Sequence, residues 1–372
     1  MKLAQIQIRN FRNHDNSNLT FGMGINALLG NNCEGKTNVL EAISYLGLTK
    51  SFYSASDITV LQIGKDFFEI EGRILTDAGT ESTVHVSYRK DPSEKEISVN
   101  HARVDKLTSF IGRFPVVILS PESNGITFGP PAERRKFIDL ILSQINAAYF
   151  ADLQEYRRVL RQRNKILSDA RLTGKCHPKV IEPWDINLVR YGSRITQRRR
   201  IFAADFQSFV RRSYSELVKS NEEPQVEYVG VAGGSIDEIT ASMTSEICKY
   251  QSEEVRRGAT LVGPHRDELK MSINGMSVQE YASQGQHKSL LVALKIAEFF
   301  YVKESRSEVP IFLLDDVFSE LDESRSQHIL DLIGGLGQTI ITTTGESVFR
   351  GAFKWNGQNR KFHVERGTCS AT

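Results

Sequence analysis

Two short stretches hold residue types whose spacing suits phosphate chemistry. Gly30-Asn31-Asn32-Cys33-Glu34-Gly35-Lys36-Thr37 fits G-x-x-x-x-G-K-[ST]. This is the P-loop pattern, in which consecutive backbone N–H groups and the positive end of the following helix hold the α- and β-phosphates of a nucleotide. Lys36 would reach the β- and γ-phosphates and the Thr37 hydroxyl would ligate Mg²⁺, with Asn38 on the same first turn. Pro310-Ile311-Phe312-Leu313-Leu314-Asp315-Asp316 is an apolar run ended by two carboxylates, the Walker B arrangement. Asp315 would hold the Mg²⁺ shell and Asp316 would polarise an attacking water. A third stretch, Ser283-Gln284-Gly285-Gln286, opens a strongly apolar helix. Ser and Gly are ordinary helix caps, and it is the Walker B run close behind that gives Ser283, Gly285 and Gln286 a reading as nucleotide contacts. Arg12, in the polar turn Asn10-Phe11-Arg12-Asn13-His14, has two readings of equal weight, a phosphate contact or an ion pair.

These groups act only if the chain places them on the right elements. Gly24–Leu29 is apolar enough for a buried strand, and Thr37–Leu46 has apolar residues at helical spacing, so the P-loop lies in a strand–loop–helix context. Residues 2 to 9 alternate as a strand. Three more segments, starting at Phe67, Thr83 and Glu96, read as an antiparallel meander beside the nucleotide, and Phe114–Leu119 as a further buried strand. Gln338–Thr344 is one more buried strand, with a hydroxyl-rich end. The expected fold is α/β, with residues 1–120 and 255–372 forming a nucleotide-binding head and 121–254 an inserted helical arm.

The arm is a different kind of sequence. Phe137, Ile141, Ile145, Tyr149, Leu153, Tyr156 and Leu160 recur at steps of three and four, while Leu188, Ile195, Phe202 and Phe209 recur every seven. Two antiparallel helices satisfy both stripes, with the tip at Leu172–Pro178. Residues 130–220 hold 19 Lys and Arg against 9 Asp and Glu, a surplus of ten positive charges in a chain whose net charge is only +2. Such segregation suggests a polyanion partner, with Arg157, Arg158, Arg161, Arg163, Arg194, Arg198, Arg199 and Arg200 as the expected phosphate contacts of DNA. The alternative is a solvated helical face.

Composition sets outer bounds. With 372 residues, 40% hydrophobic and 25% charged, the chain suits about two ordinary folded domains. There is no run of about 18 apolar residues and no signal-peptide core, so the expected place is the cytoplasm, away from membrane. Cys33, Cys176, Cys248 and Cys369 form no C-x-x-C pair, which argues against a disulfide framework and a zinc site. A P-loop small-molecule kinase is disfavoured, because such an enzyme has no use for the Ser283 signature.

The order P-loop, S-x-G-Q, hydrophobic strand with Asp315-Asp316, then Ser319-Glu320-Leu321-Asp322 resembles an ABC-type ATPase head. About 245 residues separate the P-loop from Ser283, too many for a transporter subunit and too few for the long coiled coils of SMC proteins. Asn10-Phe11-Arg12-Asn13, Ser120-Pro121-Glu122, Gly129–Asp139 and Gly263-Pro264-His265-Arg266-Asp267 narrow the resemblance to the RecF family of bacterial recombination and repair ATPases, over nearly the full length. That resemblance implies ATP and Mg²⁺ as cofactors, an ATP-dependent head-to-head homodimer on DNA, and slow, DNA-stimulated hydrolysis. It also implies preference for duplex and duplex/single-strand junctions, and work with RecO and RecR in loading RecA at gaps. It places the switch position at Thr343, where many heads have His. Cys33 stands where ABC heads usually carry Gly, and Asp316 is one methylene shorter than the usual Glu. A scaffold that recruits partners under ATP control, with little direct DNA contact, is the competing function.

Overall fold

A computed structural model describes residues 1–371 apart from 55, 175–177, 219–220, 321–322 and 350–354. The chain divides into two compact units, Met1–Asn124 with Val292–Thr372, and Gly125–Leu291.

The first unit is built on two sheets. In the first, Lys2–Phe11 pairs antiparallel with His14–Thr20 on one side and Phe67–Leu75 on the other. The meander continues through Glu81–Arg89, Glu94–Val99 and Ala102–Arg103. Alternating burial along Phe67–Leu75 and Glu81–Arg89 shows one face on the core and the other toward water. The second sheet has the order Thr368–Ala371, Arg360–Glu365, Ile25–Leu29, Thr339–Thr343, Ile311–Asp315, Val116–Leu119. Every neighbouring pair is parallel except the terminal hairpin. Ile25–Leu29, Ile311–Asp315 and Thr339–Thr343 are buried at every position, as strands covered on both faces of a parallel sheet are, including the polar Asn26, Asp315 and three threonines. The P-loop helix, Lys36–Leu48, packs on the antiparallel sheet through an edge-to-face triad of Phe11, Tyr45 and Phe68, with ring centroids 5.4–5.6 Å apart.

The second unit is mainly helical: Pro131–Ile145, Ala147–Thr173, Pro178–Leu217 and Ile236–Arg257. The stripe from Phe137 to Leu160, expected on one helix, is divided at Asn146. There the backbone is extended and the Asn146 side chain accepts the Tyr149 N–H, capping the next helix. The seven-residue stripe also drifts. Leu188, Ile195 and Phe202 are buried, but the seam then passes to Phe206 and Val210 while Phe209 is only half-buried. A helix with 3.6 residues per turn slips against a repeat of seven, so the contact moves off its register. The expected tip at Leu172–Pro178 falls partly outside the described residues, Cys176 among them.

The return boundary lies later than the sequence suggests. Residues 255–291 join the helical unit because Glu268–Ile273 pairs antiparallel along its length with Pro224–Val229, a strand reached only from inside the arm. Met276–Ser277 completes this small sheet. Among the described residues, no helix is long and apolar enough to cross a membrane.

Candidate functional site

The P-loop leaves the buried strand Ile25–Leu29 and enters Lys36–Leu48 with Gly35 as N-cap at φ 111°, and no side chain bonds to the cap. Only glycine fits at Gly35, since its φ is positive and a Cβ would stand 2.6 Å from Asn13 Oδ1. At Gly30 the constraint is space, for a Cβ would meet the Val364 carbonyl oxygen at 2.3 Å. Cys33 is exposed and takes φ 67°, the left-handed geometry for which related loops use glycine. Asn31 and Asn32 are exposed beside it.

Glu34, which adds a negative charge to an anion-binding loop, is turned away from that task. Its Oε2 accepts the Arg366 N–H at 2.5 Å and its carbonyl accepts the Gly367 N–H at 2.9 Å, so the turn of the final hairpin braces the loop. Asn13 Nδ2 also donates to the Glu34 carbonyl at 3.0 Å, while Asn38 Nδ2 donates to Asn13 Oδ1 at 2.7 Å. His14 Nε2 lies 3.0 Å from the Gly35 carbonyl, and burial pushes its imidazole below the usual range. The polar turn after the first strand is thus the outer wall of the P-loop.

Lys36 is buried, with Nζ donating to the carbonyls of Gly30 and Asn31, both at 2.7 Å. Burial lowers its pKa, and the nearby carboxylates of Asp316 and Asp315 act in the opposite sense. Thr37 Oγ1 donates to Asp315 Oδ1 at 2.7 Å. The parallel register sets Asp315 opposite Thr342, whose hydroxyl also donates to Oδ1 at 2.7 Å and accepts the Asp316 N–H at 2.9 Å. Asp316 turns out of the strand at φ 49°. Thr343, the expected switch residue, is buried beside Leu29 at the start of the loop, and its hydroxyl donates to the Gly345 carbonyl at 3.3 Å. Sequence reading missed Thr342, although the Thr342-Thr343-Thr344 run marked the place. It also missed Tyr53, whose hydroxyl donates to Asp315 Oδ2 at 2.9 Å from a segment without a motif.

Arg12 is bidentate on Glu41 of the P-loop helix, with both bonds at 2.9 Å, and its third nitrogen donates to the Thr59 carbonyl at 3.0 Å. Of its two readings the structure adopts the ion pair. Ser283 is exposed and accepts the Gln286 N–H at 3.2 Å, while Gln286 Oε1 accepts the Ser283 N–H at 2.9 Å. This reciprocal pair is a capping box at the start of Gln284–Arg306, with Gly285 in its first turn and Gln286 Nε2 also donating to Glu222. Leu321 and Asp322 of the S-x-L-D run lie outside the described residues.

Two of the expected DNA contacts are corrected. Arg163 is 1% exposed and bonds Glu254, Asp185 and Thr260 inside the helical unit. Arg199 is 2% exposed and bonds Asp139, the Tyr149 hydroxyl and the Pro264 carbonyl. Neither reaches solvent, because in each case a buried acid on a neighbouring helix draws the guanidinium inward. Arg200 is half-buried and donates to the Val231 carbonyl at 2.7 Å. Arg157, Arg158, Arg161, Arg194 and Arg198 are exposed, the first paired with the buried Asp139 and the second and fourth with Glu155 and Asp152. The Gly263–Asp267 turn belongs to the same buried network: Arg135 donates to the Asp267 carbonyl at 2.9 Å, and His265 Nδ1 lies 2.6 Å from the Tyr156 hydroxyl.

A parallel core sheet flanked by an antiparallel one, a P-loop after a buried strand, and a Walker B carboxylate bonded to the P-loop threonine define an ABC-type ATPase head. The family model for the RecF/RecN/SMC N terminal domain matches residues 2–368. The DNA replication and repair protein RecF of Chloroherpeton thalassium is 41% identical over 357 residues, which cover 94% of this chain and 96% of that protein. RecF of Salinibacter ruber is 39% identical over 360 residues, 95% and 87% of the two chains. A solved structure of the recombination mediator protein RecF-ATPrS in the RecFOR pathway superposes with TM-score 0.90 at 30% identity, covering all of this chain and 98% of that one. An SMC head at 12% identity and TM-score 0.54 shares the fold alone. The chain belongs to the RecF family.

Proposed function

We propose that this chain is an ATP-switched DNA-binding protein of recombinational repair. ATP binding closes two heads into a dimer on DNA, and slow hydrolysis resets it. The observation that carries this is the bond from Thr37 Oγ1 to Asp315 Oδ1 at 2.7 Å, 278 residues apart in sequence. It brings a hydroxyl and a carboxylate together beside a helix N-terminus with no acid in its first turn.

That donor set suits Mg²⁺, a hard cation that keeps several waters and takes one or two protein ligands beside phosphate oxygens. Thr37 would be its ligand and Asp315 would hold its shell, and the ion would neutralise charge on the transferred phosphoryl group. Lys36 would leave its two carbonyl partners for the β- and γ-phosphates, and the backbone from Asn31 to Asn38 would wrap the remaining oxygens. Asp316 would orient water. Ser283, Gly285 and the start of Gln284–Arg306 would close the site from a second protomer. The five exposed arginines of the arm would contact duplex phosphates; partnership with RecO and RecR is carried over from the RecFOR pathway of the RecF-ATPrS and RecF-ATP relatives, and recombinase loading from the family resemblance alone.

The test is mass in solution with and without MgATP and duplex DNA. The expected result is a monomer alone and a dimer on DNA only with ATP; an unchanged monomer under all conditions sinks the switch. DNA affinity should fall with salt at a log–log slope of about −0.9 per phosphate contacted. A flat line would leave the ATP-gated scaffold as the better reading.

A further inference from the structure

The segment after the P-loop helix has no place in the chemistry so far, yet it delivers a side chain to the Walker B carboxylate. Asp315 is 1% exposed and accepts three hydroxyl protons: Oδ1 from Thr37 and Thr342, both at 2.7 Å, and Oδ2 from Tyr53 at 2.9 Å. A carboxylate offers about four lone-pair sites, so three fixed donors leave its plane little freedom. Thr37 and Thr342 are set by a helix and a strand. Tyr53 lies outside both and needs an anchor of its own.

That anchor is a chain of hydrogen bonds. The N–H groups of Tyr53 and Ser54 both donate to Ser51 Oγ, at 2.9 and 2.8 Å. The Ser51 hydroxyl donates to Glu41 Oε1, and Glu41, buried on the P-loop helix, is clamped by Arg12. Bonds of this kind to an ionised carboxylate are about twice as strong as neutral ones. The path from Arg12 through Glu41, Ser51 and Tyr53 to Asp315 is continuous within the first unit.

We propose that Tyr53 is a positioning residue for the divalent cation of the nucleotide. Its hydroxyl holds Asp315 so that Oδ1 accepts the hydrogen bond from Thr37 and leaves the lone pairs of Thr37 Oγ1 turned outward, while Arg12, Glu41 and Ser51 set the place of Tyr53. The inference rests on the nucleotide reading above. It gives Arg12 a role in metal binding, in place of direct phosphate contact, because its guanidinium fork is engaged by Glu41.

The experiment uses the full chain and equilibrium binding of a fluorescent ATP analogue, first in EDTA and then across a Mg²⁺ titration. Tyr53→Phe should keep the metal-free affinity and raise the half-saturating Mg²⁺ about ten-fold or more, as expected for one hydrogen bond to a charged group. Tyr53 is 38% exposed, so the variant should still fold, with a modestly lowered unfolding temperature because Asp315 Oδ2 loses a donor. Ser51→Ala and Glu41→Gln should shift the Mg²⁺ requirement the same way, and neither should add to the Tyr53→Phe effect in a double mutant. Unchanged half-saturation in Tyr53→Phe overturns the proposal, as do additive shifts or a loss confined to metal-free affinity. If the wild type itself binds no nucleotide with Mg²⁺, the nucleotide reading fails first.

Discussion

The P-loop and the basic arm both looked like sets of charged residues waiting for phosphate, and the structure treats them in opposite ways. In the loop, Thr37 meets Asp315 from 278 positions away at hydrogen-bond distance, and Lys36 beside it is held by the Gly30 and Asn31 carbonyls. In the arm, arginines that are adjacent in sequence diverge: Arg198 faces water while Arg199 points into the protein against Asp139. A motif with a fixed backbone geometry commits each residue to a direction. A count of positive charge along a helix does not, since successive residues differ by about 100° around the axis.

The sharpest way to break this comparison is at the catalytic end. Lys36→Ala should lower nucleotide affinity and turnover a hundred-fold or more, whereas Asp316→Asn should abolish turnover, keep ATP binding and trap the dimer on DNA, as dimer lifetime on DNA would report. Loss of ATP binding in Asp316→Asn would give that residue a structural role. Next in size is complementation. Lys36→Ala and Ser283→Arg should each be inactive alone, and an equimolar mixture should recover up to about a quarter of wild-type ATPase if two independent sites form across a dimer. No recovery, together with no ATP-dependent cross-link between protomers, would leave Ser283 as a helix cap.

The arm supplies a smaller and more pointed contrast. Arg199→Glu places a second acid beside Asp139 and Tyr149 and should cost about 3–5 kcal/mol of stability. Arg198→Glu should leave the melting temperature alone, weaken DNA binding several-fold and lower the salt slope by about one. Equal effects of the two on DNA affinity, at equal stability, would mean the buried arginine reaches DNA after all. The smallest expected effect is on pH. Burial holds His265 down to about 4 from an ordinary 6.5, with the ring between Tyr156 and the Thr260 carbonyl. The folded state therefore favours the neutral ring, so its contribution is whole above pH 6.5 and is lost as pH falls toward 4. The loss is at most about 3 kcal/mol. Unfolding followed through Trp184 in a Trp355→Phe background should show this acid limb, and His265→Asn should flatten it.

Much of the first unit was legible because its signals are local. The buried strand before Gly30, the alternation along Glu81–Arg89 and the run ending at Asp315 each fix an element and a direction. What escaped depended on partners far along the chain. Tyr53 has nothing near it in sequence to mark a contact with a residue 262 positions away. Residues 255–291 looked like part of the head because nothing in Glu268–Ile273 announces that its pairing strand is Pro224–Val229. Arg163 and Arg199 were misread for the same reason, since their acids lie on other helices.

The brace on the P-loop also imposes an order on synthesis. Ile25–Leu29 leaves the ribosome early, but its two neighbours in the sheet are Thr339–Thr343 and Arg360–Glu365, and the groups that hold Glu34 are at Arg366 and Gly367. The loop thus waits for partners 332 residues behind it, roughly 15–70 s of translation. A nascent chain stopped at Glu365 should therefore bind nucleotide poorly although its whole P-loop is present, and the brace forms only once Arg366 and Gly367 have been added.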